Sequence, residues 1–176
     1  MIIYCSKKLE TFLGHITSAG PTTAPNSSFG DWNGHSFTIN RKRCLIFVNN
    51  KTCYSVVMKN VLKADTRNFG QVFRERLIRQ LDHDLKMNER QEIKLRNEFG
   101  EVTLAKSNND KKIIGTINHH VENFKYKSYG VGVENWDEVK VTGVLNDYPV
   151  ATKISMGMKR NRDYFRPIEL MQNLIK

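Results

Sequence analysis

No apolar run in this 176-residue chain approaches the ~20 residues that a membrane-spanning helix needs. The opening Met1-Ile2-Ile3-Tyr4-Cys5 is apolar but too short for a secretion signal, and no cleavage-site pattern follows it. A cytoplasmic location is the expectation. Cysteine is scarce: Cys5, Cys44 and Cys53 form no close pair, so small buried thiols in a reducing compartment account for them best. A zinc site would want ligands at short spacings such as CxxC, and none exists. The strong enzyme motifs GxxxxGK[ST], GxSxG and HExxH are missing as well. Gly130-Val131-Gly132 is a lone GxG, with Asn135 where a dinucleotide fingerprint needs its third glycine. No cofactor, metal or catalytic residue is therefore assigned. These absences weigh against an enzyme without excluding one.

What the chain does have is positive charge. Its net charge is +10 and its pI about 9.6, on a composition with 26% charged and 39% hydrophobic residues that suits one globular domain over residues 1–176. Residues 1–60 hold seven Lys/Arg against two acids, and residues 111–176 hold eleven against seven. Residues 61–110 are nearly balanced, with ten against nine, as on a solvated helix surface. If the two ends meet in the fold, they build a basic face suited to phosphates or to an acidic protein surface. Charge kept only for solubility is the competing explanation.

Periodicity supplies the elements. Residues 1–5 read as a strand, and Ser6 caps a short helix over Lys7–Leu13 that stops at Gly14. Residues 15–30 are rich in Ser, Thr, Pro, Gly and Asn, the composition of a flexible loop. Three strands follow within Trp32–Met58. His35, Phe37 and Ile39 alternate with polar neighbours, and Cys44–Val48 is continuously apolar, as in a central strand covered on both faces. Cys53–Met58 supplies the third strand. Phe69, Phe73, Leu77, Leu81 and Leu85 recur at i+4 and mark a long amphipathic helix. Asn88 with Gln91 opens a shorter one. Glu75–Arg79 and Glu92–Arg96 are candidate i,i+4 pairs on solvated faces.

Beyond these, Val102–Lys106 has the alternation of a strand. A helix is expected from Lys111 to about Tyr126, interrupted by Gly115, where a glycine suggests close packing or close approach by something else. Asn135 with Glu138 favours a helix over Trp136–Leu145, with a strand as competitor, and Pro167 opens a closing helix. The architecture expected is a single α+β domain. Its mostly antiparallel sheet is built on the three-stranded meander, with helices packed on one face.

Several segments together resemble a known family. They are Tyr4-Cys5-Ser6-Lys7-Lys8-Leu9, Trp32-Asn33-Gly34-His35, Asn40 to Phe47, Thr52-Cys53-Tyr54-Ser55, Ser107 to Asn118, Leu145-Asn146, and Pro167 with Met171. The chain is similar at these positions to the bacterial domain-of-unknown-function family numbered 6933. Lys111-Lys112, where an arginine is expected, and the long charged stretch Gly130–Arg166 depart from the pattern. The resemblance implies one compact domain with two polar signatures, and it implies no reaction.

The candidate sites follow from those signatures and from the charge. An anion or small ligand would be held by Trp32, Asn33, His35, Arg41 and Arg43 beside Asn108, Asn109, Lys111 and Asn118. The start of the helix at Lys111 would supply free N–H groups. The competing reading is that Asn108, Asn109 and Asp110 only cap that helix. His119-His120 point about 100° apart on a helix and cannot easily share a metal. Lys42, Lys153, Lys159, Arg160, Arg162 and Tyr164 are the candidate contacts to nucleic acid or a partner, since basic residues interleaved with aromatics suit phosphates and stacked bases. The function expected is a non-catalytic basic binding protein acting on nucleic acid or on a nucleic-acid-handling protein complex. An inhibitor in a host-defence or mobile-element setting fits that description. The alternative is a small enzyme or ligand-binding domain for a phosphate-containing substrate.

Overall fold

A five-stranded sheet in the order β4-β3-β2-β1-β5 organises the chain. The computed structural model describes residues 1–14, 29–127, 132–151 and 164–175. Most of the loop expected over residues 15–30 lies outside the described residues, as does most of the basic segment expected over about 150–166. The strands are β1 (Ile2–Cys5), β2 (Trp32–Ile39), β3 (Lys42–Asn49), β4 (Ser55–Met58) and β5 (Thr103–Lys106). The helices are α1 (Lys7–Leu13), α2 (Phe69–Leu85), α3 (Glu89–Glu98), α4 (Lys111–Lys127), α5 (Glu138–Asp147) and α6 (Pro167–Ile175). A small antiparallel pair joins β6 (Val150–Ala151) to β7 (Tyr164–Phe165). No helix among the described residues is long and apolar enough to cross a membrane.

The meander is present: β2 pairs antiparallel with β3 from Trp32↔Asn49 to Ile39↔Lys42, and β3 pairs antiparallel with β4. The sheet as a whole is mixed, which corrects the expectation of a mostly antiparallel one. β1 lies parallel to both β2 and β5. A parallel neighbour needs a long crossover, and α1 with the residues after it supplies one between β1 and β2. Gly34 lets that helix approach. A Cβ there would sit 2.6 Å from Leu9 Cδ2 and 2.7 Å from the Phe47 ring, so any side chain would push α1 off the strand.

Helices cover both faces of the sheet, not one. On the first face Leu9, Trp32, Phe47, Phe73, Leu77, Leu81 and Met171 form a core under α1, α2 and α6. On the second, Phe37, Ile46 and Val48 meet Ile113, Ile117 and Phe124 of α4. β3 feeds both cores, Leu45 and Phe47 into one and Cys44, Ile46 and Val48 into the other, which is why its run is apolar without alternation. Burying one such side chain contributes about 1.5–3 kcal/mol.

Two further expectations are corrected. Gly115 packs against nothing: a Cβ there would meet no atom within 4 Å. Glu75 pairs with Arg96 of α3 at 3.3 Å instead of with Arg79, which lies 4.0 Å from Glu138. The expected Glu92–Arg96 pair forms, at 2.7 Å. The helix expected near 136–145 is α5, capped by Asp137, whose carboxylate accepts the N–H groups of Val139 and Lys140.

α5 also seals an edge of the sheet. β4 is an outer strand, and side chains of α5 meet the outward backbone groups of Ser55 and the N–H of Lys59 just past its end. Asn146 Oδ1 accepts the Ser55 N–H at 2.7 Å, its Nδ2 donates to the Ser55 carbonyl at 3.1 Å, and Glu138 Oε2 accepts the Lys59 N–H at 2.9 Å. An unpaired edge strand is a template for stray pairing, and these contacts close it.

Candidate functional site

The polar signatures are spent largely on local structure. Trp32 is fully buried, packed edge-to-face on Phe73 with ring centroids 5.4 Å apart, so it faces no ligand. Asn33 is buried and donates to Asn50 Oδ1 at 2.8 Å, tying the start of β2 to the β3–β4 turn. His35 shares a 2.9 Å hydrogen bond with Ser6 Oγ, the atom that also accepts the Leu9 N–H at the start of α1. Burial, and then Lys8 and Lys125, lower its pKa, so it stays neutral.

The start of α4 is closed in the same way. Asp110 Oδ1 accepts the N–H groups of Lys112 and Ile113, Asn108 Oδ1 accepts that of Asp110, and Ser107 Oγ accepts that of Asn109. The protein's own carboxylate thus occupies the place where an anion would bind. Lys111 and Asn118 are exposed. Only part of the first signature shares an end of the hairpin with the second: Trp32 and Asn33 do, and Arg41 does not. The first turn of α4 lies near Cys53, whose thiol feels Lys112 and Asp110, while Phe124 near its end stacks on Phe37. Arg41 sits at the far tip of the β2–β3 hairpin. The expected pairing of Arg41 and Arg43 with Lys111 in one pocket is not formed.

The rings of His119 and His120 lie 6.1 Å apart, and no group of three His, Cys, Asp or Glu among the described residues could hold a metal ion. Lys153, Lys159, Arg160 and Arg162 lie outside the described residues. Tyr164 is exposed in β7.

What does converge is a basic face around Phe12. Asn40 and Arg41 form the two-residue turn between β2 and β3, with φ of 47° and 63°. This is the mirror-image turn that suits a hairpin's twist, and it is usually built with glycine at its second position. Arg41 occupies that left-handed conformation at a cost of about 1–2 kcal/mol, with its side chain exposed. Lys42, the next residue, is exposed too, on the α4 side of the sheet and opposite Arg43. Arg43 lies over the Phe12 ring at 4.5 Å and donates to Ser36 Oγ at 3.1 Å. Lys63 approaches the same ring at 5.5 Å and donates to the Phe12 carbonyl at the end of α1. The Val61 N–H, bonded to the Arg43 carbonyl at 2.9 Å, holds these segments together.

The acids nearest this face are already engaged. Glu10 pairs with Lys7 at 3.7 Å, and Asp65 accepts the Leu62 N–H at 2.8 Å. Lys8, Arg41, Lys42 and Arg67 have no ion-pair partner among the described residues. Beyond Lys63 the face opens into a cleft of about 710 Å³ between the end of α1, the start of α2 and β5. No local pattern in the sequence announces this arrangement, since Phe12, Arg43 and Lys63 come from three separate segments.

A second polar cluster, also absent from the sequence reading, surrounds Asp84. Its carboxylate, with the side chain 2% exposed, accepts from Tyr54 Oη at 2.6 Å, Asn146 Nδ2 at 2.9 Å, Gln80 Nε2 at 3.0 Å and His83 Nδ1 at 2.9 Å. Burial and then Asp84 hold the Tyr54 pKa well above its ordinary value, so the phenol remains a donor. Both carboxylate oxygens are saturated, which leaves none for a substrate. The cluster ties α2 to β4 and α5.

Comparison with known proteins places this geometry in a family without assigning it a role. No curated protein and no solved structure matches the chain. The family model described as a domain of unknown function (DUF6933) matches residues 2–170, nearly the full length, and the chain belongs to that family.

Proposed function

We propose that this protein is a non-catalytic module that binds nucleic acid through phosphate contacts on the basic face around Phe12. The observation that carries the reading is Arg41. An exposed arginine is kept in a left-handed turn position that glycine fills at lower cost, at the tip of the hairpin that carries Arg43 over Phe12, with Lys63 at the same ring. Phe12 pre-orders Arg43 and Lys63, so less side-chain freedom is lost on binding. The +10 charge adds long-range attraction for a polyanion. Such a module suits an inhibitor of a nucleic-acid-handling complex in a host-defence or mobile-element setting. The enzyme alternative needs Arg41 and Arg43 to meet Asn108, Asn109 and Lys111 in one pocket, and the start of α4 lies near Cys53, at the other end of the β2–β3 hairpin from Arg41.

Fluorescence anisotropy with labelled duplex and single-stranded oligonucleotides over a salt series tests the reading. Contact with about four phosphates on a duplex gives a slope near −4 in log affinity against log salt. Reversing Arg41, Lys42 and Arg43 together to glutamate should abolish binding while leaving the thermal midpoint within a few degrees. A flat salt profile, or unchanged affinity in the charge-reversed protein, would sink the idea.

A further inference from the structure

The sheet has two edges, and they are treated differently. At β4, side chains of α5 meet the outward backbone groups of Ser55 and the N–H of Lys59. At β5 they do not. The Thr103 N–H bonds to the Met1 carbonyl at 3.0 Å, and pairing with β1 continues to Cys5↔Lys106. Backbone direction alternates along a strand, so the N–H and C=O groups of Leu104 and Lys106 point away from β1. They have no partner among the described residues. Thr103 and Lys106 are exposed.

The cleft of about 710 Å³ lies alongside this open edge. Val102 and Leu104, two residues apart, face the same side of the sheet and form one wall, with Leu13 and Phe69 extending the apolar surface. Lys63 and Arg67 stand in the lining, which contains no carboxylate among the described residues. A strand laid against β5 would direct alternate side chains over this same face and into the cleft.

We propose that β5 and the adjoining cleft receive an extended, acidic segment of a partner protein, added as a further strand of the sheet. Backbone hydrogen bonds to Leu104 and Lys106 would supply affinity. Apolar side chains of the segment would fill the cleft, and its carboxylates would meet Lys63, Arg67 and Lys106. Charge selects the occupant. A second copy of this chain carries +10 itself and would set Lys106 against Lys106, whereas an acidic strand is attracted. This inference uses the open edge of the sheet and does not depend on the nucleic-acid reading.

The test uses a fluorescein-labelled peptide in which leucine and glutamate alternate on one face of a strand and threonine fills the other. Saturable binding to the full chain is expected, with amide shifts centred on β5 and the start of α2. Lys106→Pro removes an outward donor without touching the bonds to β1 and should weaken binding by about tenfold or more. Arg67→Glu should do likewise, whereas Arg41→Gly should leave peptide affinity unchanged. Three outcomes overturn the proposal. These are no saturable binding to the unsubstituted chain, equal binding of a probe with lysine in place of glutamate, and a dimer that Lys106→Pro converts to a monomer. Equal affinity of Lys106→Pro and the unsubstituted chain, with both melting alike, would overturn it too.

Discussion

Replacing Asn146 by alanine removes three hydrogen bonds at a residue with no exposed surface. They are the Ser55 N–H to Oδ1 at 2.7 Å, Nδ2 to the Ser55 carbonyl at 3.1 Å, and Nδ2 to Asp84 Oδ2 at 2.9 Å. Ser55 is itself fully buried, so both of its backbone groups lose their partner with no water to replace it. Each orphaned group costs about 1–3 kcal/mol, and the carboxylate loses one of its donors. The substitution should therefore cost about 3–5 kcal/mol, a large share of the ~5–15 kcal/mol typical of a domain. Urea unfolding would show a lower midpoint at unchanged slope, and the thermal midpoint should fall by roughly 10 °C. Asn146→Asp sharpens the test. Its carboxylate still accepts from Ser55 but turns its second oxygen toward two acceptors, the Ser55 carbonyl and Asp84. Protonating the new carboxyl restores a donor, so the deficit of this variant should shrink as pH falls. A loss below ~1 kcal/mol in the alanine variant would refute the argument that α5 seals the β4 edge by hydrogen bonding.

Other outcomes follow from buried groups. His120 is 4% exposed, neither of its ring nitrogens has a partner among the described residues, and burial, then His119, lowers its pKa to about 4. The unfolded chain takes up a proton below ~6.5 that the folded chain refuses, so stability should fall between roughly pH 6.5 and 4 by on the order of 3 kcal/mol. His120→Leu should flatten that dependence, and an unchanged profile in urea melts would contradict it. Burial raises the pKa of all three thiols, that of Cys5 to about 12. Iodoacetamide at about pH 8 should leave the native protein unlabelled and modify Cys5, Cys44 and Cys53 only in denaturant, as read by mass.

Elements whose information is local could be read from the sequence. The i+4 stripe from Phe69 to Leu85 is α2, and Asn88 with Gln91 forms the reciprocal cap of α3. The unbroken apolar run Cys44–Val48 is a strand buried on both faces. It already implied that helices would flank the sheet on two sides. The partners of β1 and β5 were not legible, because a four-residue segment carries no mark of which strand it will join or in which direction. Gly115 misled because an exposed glycine in a helix looks like a packed one when only spacing is visible.

The candidate site divides along the same line. Asn33, Asn108 and Asn109 attract notice as polar clusters, yet asparagine is also the residue of turns and caps, and that is how they are used. Asp84 drew no notice, although it is the most thoroughly hydrogen-bonded carboxylate described. Its donors come from Tyr54 just before β4, from α2 and from α5, and only the fold brings them together.

The most direct test of the central claim is the single substitution Arg41→Gly. Glycine relieves the left-handed backbone at φ 63°, so the protein should gain roughly 0.5–1 kcal/mol in urea unfolding. If Arg41 is retained for phosphate contact, the same variant should bind duplex DNA more weakly, and its salt slope should drop by about 0.9. Greater stability with weaker, less salt-sensitive binding is the predicted result. A variant whose affinity and salt slope match the unsubstituted protein would contradict the account.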